Sequence, residues 1–325
     1  MRALVTGSTG FIGRSLVERL VCGSWDVVCL VRQVTDRRLL RSFPVRIVQA
    51  DYDDRTSLKR AVHDCDVVFH LGAALEARDF SAYMKANAEG TRRLAESTLS
   101  AGRGRKVFVY ASSIAAAGPS ATGSTKNEKD ECRPVSLYGV SKLRGEEVLR
   151  RFDGRLPYVI LRLPNVLGTD QPQLAAAARL IRKRIVPLLG TGRKQTSLCF
   201  VQDAARALVL AAERDRGWGE TYFVNDGRAY AWREIVEPLA EILAPGCVLR
   251  LKTPTLLAAA WAIETAAQWT GRKPLVTREA IMSAGTYNWL FDGSKFCAAT
   301  GFRAEVDFDE EIRRIARTYR QRAAS

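Results

Sequence analysis

The first 165 residues alternate short apolar runs with longer amphipathic stretches. The runs are rich in Val, Ile and Leu, and short runs that are apolar on both faces are typical of strands in a parallel sheet covered by helices. The six predicted strands are RALVTG (2–7), DVVCLV (26–31), VRIVQA (45–50), DVVFHLG (66–72), KVFVYAS (106–112) and YVILRL (158–163).

Helical periodicity is found between and after these strands. The predicted helices cover 82–101, 136–151, 172–184, 203–215, 232–243, 254–270 and 308–320. The alternation predicts a doubly wound α/β fold, with a parallel Rossmann-type sheet in residues 1–165 and a smaller lobe in residues 166–325. Because no repeat or low-complexity linker separates the two parts, we expect the lobe to be interleaved with the sheet domain and to cover a substrate.

Composition narrows the class of protein. The 325 residues include seven scattered cysteines and two histidines, His63 and His70. An odd number of cysteines without CxxC spacing argues against a disulfide framework and a zinc site, so we expect no metal. The amino terminus runs directly into a strand and lacks the apolar stretch of a signal peptide. These features favour a cytoplasmic protein.

The net charge of +15 is compatible with nucleic acid, anionic lipid or phosphate-bearing small molecules as partners. The arginines are spread along the whole chain, which favours a generally basic surface over a nucleic-acid site. The longest apolar segment (254–269) contains Glu264 and is shorter than the roughly 20 residues that span a bilayer. We predict no stable membrane span and interpret the segment as a buried or lid helix, with weak interfacial contact through Trp261 and Trp269 as the alternative.

A glycine-rich loop, VTGSTGFIG, joins the first strand to the first helix. Gly7, Gly10 and Gly13 allow a tight turn, close approach of the backbone to a pyrophosphate and close packing of the helix. The helix begins at Phe11 and Ile12, where free backbone amides face an anion. Placed after an apolar strand, the loop predicts a dinucleotide site.

The end of the second strand indicates which dinucleotide is bound. NAD sites carry an acidic residue there, whereas NADP requires a cation for its additional phosphate. Val31 offers no carboxylate, and Arg32 offers a planar guanidinium suited to phosphate. Arg37 and Arg38 are interpreted as a solvated charge cluster. We therefore predict that NADP(H) is preferred over NAD(H).

The stretch SLYGVSKLRGEE places Tyr138 four residues before Lys142, so both side chains project from one face of a helix. By itself this spacing is a weak signal. The order of several further motifs makes it specific. They are DYDD (51–54), HLGAA (70–74), NAEGT (87–91), YASSIAAAG (110–118), FVQDAARAL (200–208) and FDGSKFCAATGF (291–302).

Together with the glycine loop, these motifs resemble the extended short-chain dehydrogenase/reductase superfamily over nearly the whole chain. The resemblance implies that Tyr138 is the general acid/base, that Lys142 lowers its pKa and anchors the cofactor, and that Ser113 orients the substrate oxygen. It also implies cofactor contacts by Asp51 at the adenine, Tyr52 beside the ring, Ala73 in the central cleft and Pro164 behind the nicotinamide. Asn87 matches a structural link, and His70 ends an apolar run and is interpreted as structural.

The superfamily includes reductases, dehydratases and sugar-nucleotide epimerases. Dehydratases carry an acidic pair after the catalytic hydroxyl, whereas Ile114 and Ala115 follow Ser113 here. In the segment that grips a sugar diphosphate in epimerases, this chain has Thr196 and Ser197, with Arg193 and Lys194 nearby. Asn165 matches an epimerase residue, so this alternative stays open.

A reductase is favoured by the apolar, tryptophan-bearing segment before NWLFDGSKF (288–296), which resembles 3β-hydroxysteroid dehydrogenase and dihydroflavonol reductase relatives. An apolar cover suits a lipophilic ketone better than a sugar diphosphate. We expect an NADP-dependent oxidoreductase that interconverts a bulky apolar ketone and its alcohol. A non-catalytic NADP sensor is the third alternative. Relatives pair through two helices, which predicts a homodimer through 82–101 and 136–151.

Overall fold

The computed structural model of the chain describes residues 1–101, 106–187, 192–246, 249–251, 253–270 and 278–322. The strands in these residues are β1 (Arg2–Thr6), β2 (Asp26–Val31), β3 (Arg46–Gln49), β4 (Val67–His70), β5 (Val107–Ser113), β6 (Tyr158–Leu163), β7 (Asn165–Leu167), β8 (Ile185–Pro187), β9 (Gln195–Thr196), β10 (Leu198–Phe200), β11 (Glu220–Phe223), β12 (Tyr230–Ala231) and β13 (Leu249–Leu251).

The helices in the same residues are α1 (Phe11–Cys22), α2 (Arg55–Val62), α3 (Phe80–Met84), α4 (Gly90–Ser100), α5 (Ile114–Ala117), α6 (Leu137–Arg150), α7 (Pro172–Arg182), α8 (Val201–Glu213), α9 (Trp232–Leu243), α10 (Thr253–Thr270), α11 (Arg278–Thr286), α12 (Ser294–Thr300) and α13 (Phe308–Gln321). A π-helical turn, Lys85–Glu89, joins α3 to α4.

The main sheet is parallel and has the strand order β11-β6-β5-β4-β1-β2-β3. Successive residues of β1 point to opposite faces, because Val5 lies in one buried cluster with Leu208 of α8, and Leu4 lies in the other with Leu149 of α6. Both faces are therefore covered by helices, which confirms the predicted doubly wound α/β fold. In such a sheet, ligands bind beyond the carboxyl ends of the strands where the order reverses, here between β1 and β4.

All six predicted strands are present in the main sheet. The seventh strand of this sheet, β11, was missed by the sequence analysis. β11 begins with exposed Glu220 and half-buried Thr221, so it carries no continuous apolar run that would indicate a strand. It comes from the second half of the chain, and α8 from that half also packs against the sheet. The division at residues 165 and 166 stays a prediction.

The apolar helix predicted at 254–270 as a buried or lid helix is α10. Its described residues are mostly exposed, so the buried alternative is wrong, and the lid alternative stays a prediction. Trp261 is 57% exposed and Ile263 is 51% exposed. Leu256 and Ala260 are the buried α10 residues in a small cluster with Ile281 of α11. The side chain of Trp269 lies outside the described residues. Within the described parts of the chain, no helix combines the length and apolar character needed to cross a membrane.

Candidate active site

The glycine loop after β1 lies directly against the loop after β4. Gly7 has φ +68°, a conformation that glycine adopts readily, and a Cβ on it would lie 2.8 Å from the nitrogen of Gly72. A Cβ on Gly13 would lie 2.0 Å from the carbonyl oxygen of Gly7. Neither position has room for a side chain. Because Gly7 and Gly13 have none, α1 can begin at the edge of the cleft.

The amino terminus of α1 presents backbone amides without a side-chain cap. Gly10 occupies the cap position, and neither a capping hydrogen bond nor an acidic residue in the first turn competes for the amides. The Phe11 ring packs against Gly168, where an added Cβ would lie 2.7 Å from it, and Ile12 is partly buried. These residues fit the pyrophosphate of a dinucleotide.

The carboxyl end of β2 places one arginine at the surface beside the glycine loop. Val31 is buried, and Arg32 is exposed, with its backbone N–H donating to Thr35 Oγ1 at 3.2 Å. The other two arginines have partners: Arg38 pairs with Asp36 at 2.9 Å, and Arg37 donates to Gln49. In the described part of the chain, no ion pair or hydrogen bond is found for the Arg32 guanidinium.

The residues expected at the adenine follow β3. Asp51 is exposed, and its carboxylate accepts a hydrogen bond from the Asp53 backbone at 2.9 Å. Tyr52 packs between two glycines. A Cβ added to Gly72 would lie 2.6 Å from the Tyr52 hydroxyl, and a Cβ added to Gly90 would lie 3.1 Å from the Tyr52 ring. Burial raises the pKa of Tyr52 to about 12. The Tyr52 phenol is therefore uncharged near pH 7, and its ring packs beside the cleft.

His70 is fully buried at the end of β4. Its Nδ1 lies 2.7 Å from Thr6 Oγ1, and its Nε2 lies 3.0 Å from Thr91 Oγ1. Burial, with a smaller contribution from the charge of Lys142, lowers the pKa of His70 to about 3. The imidazole is therefore neutral near pH 7, and its two hydrogen bonds connect β4 to β1 and to α4.

Asn87 lies in the π-helical turn and links the cleft to α6. Its amide accepts from the backbone N–H of Ala74 at 2.7 Å and donates to the carbonyl of the same residue at 3.0 Å. It also donates to Ser141 Oγ at 2.8 Å. The neighbouring Ala73 is partly buried at the edge of the cleft, and Pro164 is buried immediately after β6.

Ser113 and Tyr138 are brought together at the carboxyl end of β5. The Ser113 hydroxyl caps α5 by accepting the backbone N–H of Ala115 at 3.1 Å, so its own proton is available for donation. Burial raises the pKa of Tyr138 to about 12, Ser113 lowers it in part, and nearby Tyr83 raises it further. Near pH 7 the phenol is therefore protonated.

Lys142 lies on the same helix but faces the sheet. It is 1% exposed, its Nζ donates to the carbonyl of Ala111 at 2.7 Å, and it lies 4.0 Å from the centre of the Tyr110 ring. The expected lowering of the Tyr138 pKa is not found, because burial dominates and Lys142 is directed at β5. Burial lowers the pKa of Lys142 itself to about 7, against an opposing effect of Glu146.

Two neighbours of the candidate site were missed by the sequence analysis. The Tyr83 ring centre lies 6.5 Å from that of Tyr138, and the Tyr83 hydroxyl donates to the Leu75 carbonyl at 3.2 Å. Glu146 is fully buried and bonded to Ser112 at 2.6 Å. Its place in the series 138, 142, 146 on one helix face was the available signal.

Three exposed hydrophobic side chains lie on the segments that carry Tyr83 and Tyr138. Phe80 on α3 is 43% exposed, Leu137 on α6 is 48% exposed, and Leu75, in the loop before α3, is 65% exposed. The helices α3 and α6 pack together.

The segment that was compared with epimerases is mostly buried. The Asn165 amide donates to Thr196 Oγ1 at 2.7 Å, and Thr196 Oγ1 donates to the carbonyl of Ser197 at 2.9 Å. Thr196 is 0% exposed and Ser197 is 2% exposed. Arg193 is exposed and Lys194 is partly buried.

Comparison with known proteins identifies the family. The model of the NAD dependent epimerase/dehydratase family matches residues 3–224. The chain is 31% identical over 247 residues to 4-hydroxy-2-methyl-3-oxo-4-farnesyl-3,4-dihydroquinoline-1-oxide ketoreductase of Stigmatella aurantiaca, covering 74% of this chain and 73% of that protein. It is 29% identical over 259 residues to ceramide reductase of Caulobacter vibrioides, covering 78% and 75%.

Among solved structures, MoeE5 in complex with UDP-glucose and NAD is similar over 100% of both chains, with a TM-score of 0.77 and 26% identity. The family match and the reductase relatives agree with the dinucleotide site indicated by the glycine loop at the start of α1. The chain belongs to the NAD-dependent epimerase/dehydratase family of extended short-chain dehydrogenases/reductases and is an enzyme that uses a nicotinamide dinucleotide.

Proposed function

We propose that the protein is an NADP-dependent reductase of a bulky, apolar ketone, and that it also oxidises the matching secondary alcohol. The observation that carries this proposal is the protonated Tyr138 phenol beside Ser113, with the exposed hydrophobic side chains of Leu75, Phe80 and Leu137 on the neighbouring segments. Exposed apolar surface near the reacting groups suits a lipophilic substrate, because apolar surface gains by leaving water. The ketoreductase and ceramide reductase relatives have names consistent with this substrate class.

The chain's residues divide the work of carbonyl reduction. When bound, NADPH supplies the hydride. Ser113 donates a hydrogen bond to the substrate oxygen and sets its direction, since its oxygen is already fixed by Ala115. Tyr138 transfers its proton to the same oxygen as negative charge develops. Lys142 in its charged form would anchor the nicotinamide ribose.

NADP preference is assigned to Arg32. It stands exposed at the end of β2, where Val31 supplies no carboxylate for a ribose hydroxyl. Arg38 is paired with Asp36 and Arg37 with Gln49, which leaves Arg32 as the cation best placed for a phosphate.

The remaining cofactor contacts follow the positions of the side chains. Asp51 is exposed for the adenine amino group, Tyr52 packs beside it, and Ala73 lines the cleft between the strands. Pro164, buried after β6, supports the nicotinamide. Two copies of the chain are proposed to pair through α4 and α6.

Sugar-nucleotide epimerase is the second candidate, favoured by the similarity to MoeE5 with UDP-glucose and NAD. Against it, the Thr196 and Ser197 hydroxyls are buried, and the Asn165 amide is engaged by Thr196. A sugar diphosphate needs exposed donors at these positions, because buried phosphate charge without partners is costly. Dehydration is disfavoured by Ile114 and Ala115, which offer no acidic group beside Ser113.

The test is a substrate panel with the purified protein and NADPH, followed by nicotinamide absorbance. Net consumption of NADPH with apolar ketones, and none with sugar nucleotides, is the expected result. Inversion of a UDP-sugar without net change in the cofactor would establish the epimerase instead. Tight NADPH binding with no reaction on either panel would leave a non-catalytic sensor.

A further inference from the structure

A buried carboxylate lies two helical turns beyond Tyr138 on α6. Glu146 is 0% exposed and accepts hydrogen bonds from Ser112 Oγ at 2.6 Å, from Arg162 Nε and Nη2 at 2.9 and 2.8 Å, and from Arg150 Nη2 at 3.0 Å. These donors come from β5, β6 and α6. A charge this deeply buried is tolerated because each carboxylate oxygen has donors.

The network reaches the predicted reacting groups through the end of β5. Ser112, which binds Glu146, directly precedes Ser113, and Ala111 accepts the hydrogen bond from Lys142. Two consecutive residues of β5 are therefore held by two side chains of α6, one turn apart. This arrangement fixes the strand that carries Ser113 against the helix that carries Tyr138.

We propose that Glu146 is a positioning residue of the reductase site: its carboxylate fixes the end of β5 to α6 and keeps the buried amine of Lys142 charged. The proposal rests on the reductase function above and deepens it. The proposed role of Lys142 requires an ammonium, and Lys142 is too deeply buried for water to stabilise that charge.

The groups around Lys142 support this role for Glu146. Burial lowers the pKa of Lys142 to about 7, and the charge of Glu146 opposes that effect. From β4, His70 is neutral near pH 7. From β5, burial raises the pKa of Tyr110 far above its ordinary value, so its ring is also neutral. Among the described residues, Glu146 is thus the anion that acts on Lys142, while Arg162 and Arg150 compensate its charge.

The test uses Glu146→Gln, which keeps the size of the side chain and removes its charge. In protein labelled with ¹³C-lysine, the Cε resonance of Lys142, assigned with Lys142→Arg, is followed against pH. We expect the titration midpoint to move to lower pH by about one unit or more, as a lost buried counter-charge requires. The alkaline limb of kcat/KM for ketone reduction should move in the same direction, since neutral Lys142 is inactive.

Two controls separate this role from general destabilisation. Glu146→Asp keeps the charge, so the Lys142 midpoint should stay near that of the wild type even if Tm falls. Glu147→Gln removes a neighbouring, partly exposed carboxylate paired with Arg144 and should leave the midpoint unchanged. If Glu146→Gln does not fold, Glu146→Gln/Arg162→Gln is measured instead, because it leaves neither partner of the buried pair unpaired. The Lys142 midpoint should still be lowered, because Glu146 and not Arg162 is the charge that acts on Lys142.

An unchanged Lys142 midpoint in the charge-removing variant would overturn the proposal, whatever happens to Tm. The spectroscopic readout needs no turnover, so it distinguishes this proposal from the proposed function. A lowered midpoint in a protein that reduces no ketone would support Glu146 as the source of the Lys142 charge and reject the reductase.

Discussion

At the residue scale, burial sets the protonation states of the site. It raises the pKa of Tyr138 to about 12 and lowers that of Lys142 to about 7. A neutral phenol is the form that protonates a carbonyl oxygen, which is what the proposed reduction requires near pH 7. As pH rises through about 7, Lys142 loses its charge, and reduction should weaken.

Replacing Tyr138 with Phe removes the proton donor and keeps the ring. We expect kcat for ketone reduction to fall roughly 100-fold or more, the usual contribution of a general acid. NADPH affinity, measured by fluorescence titration, should change little. The matched control is Tyr83→Phe, which removes the neighbouring hydroxyl that donates to the Leu75 carbonyl. This variant should retain most of the activity. Wild-type turnover by Tyr138→Phe would contradict the assigned role.

Replacing Arg32 with Asp tests the choice of cofactor. Losing a charge-assisted hydrogen bond to phosphate, and adding repulsion, should raise Kd for NADPH roughly 10- to 100-fold. The Kd for NADH should stay similar or improve. The matched control is Arg38→Asp, in the same loop, because Arg38 is paired with Asp36. A tenfold or greater preference of the wild type for NADH would show that the assignment of NADP is wrong.

At the element scale, hydrophobic patterns predicted those strands and helices that are determined by their own sequence. The apolar runs of β1 to β6 and the periodicity of α6 could be predicted because they depend on residues that are neighbours in sequence. β11 was missed because its exposed Glu220 and half-buried Thr221 break the apolar run.

Side-chain direction at the site depends on pairings distant in sequence. Ser113, Tyr138 and Lys142 were predicted from the order of motifs, but the orientation of Lys142 toward Ala111 depends on contact with β5. The Glu146–Arg162 pair likewise joins α6 to β6. A pattern in one segment does not contain such contacts.

The start of α1 is the element whose geometry the cofactor site most requires. In Gly13→Ala, the new methyl group would lie 2.0 Å from the Gly7 carbonyl oxygen, so the loop or the helix must shift. We expect NADPH affinity to fall at least about tenfold, since the amides no longer converge on the pyrophosphate.

Gly23→Ala, at the other end of α1, is the control for this change. Gly23 has φ −82°, and its added Cβ would make contacts no closer than 3.4 Å. It should bind NADPH as the wild type does. Equal affinities of the two variants, measured by calorimetry, would reject the assigned role of the loop.

At the scale of the whole molecule, His70 makes stability depend on pH. Its folded pKa is about 3, below the value of about 6.5 in an unfolded chain. Between these two pH values His70 binds more protons in the unfolded state than in the folded state. The contribution of His70 to the free energy of unfolding is therefore fully present above about pH 6.5 and is lost as the pH falls toward its folded pKa. Urea unfolding should show a slope of up to about 1.4 kcal/mol per pH unit in this window.

The variant His70→Gln cannot titrate, so this slope should be smaller between about pH 4.5 and 6.5. Its stability near pH 7 will also fall, because the bonds to Thr6 and Thr91 are disturbed. The comparison therefore uses the slope of unfolding free energy against pH and not its absolute value. Equal slopes in both proteins would exclude His70 as the source.

The central claim is net hydride transfer to an apolar ketone. The most direct measurement incubates the protein with NADPH deuterated on the transferring face of C4 and with the apolar ketones of the substrate panel, and analyses the product by mass spectrometry. The account predicts an alcohol carrying one deuterium on its carbinol carbon and an equal amount of NADP⁺. Inversion of UDP-glucose without net cofactor turnover, and no labelled alcohol from any ketone, would contradict it.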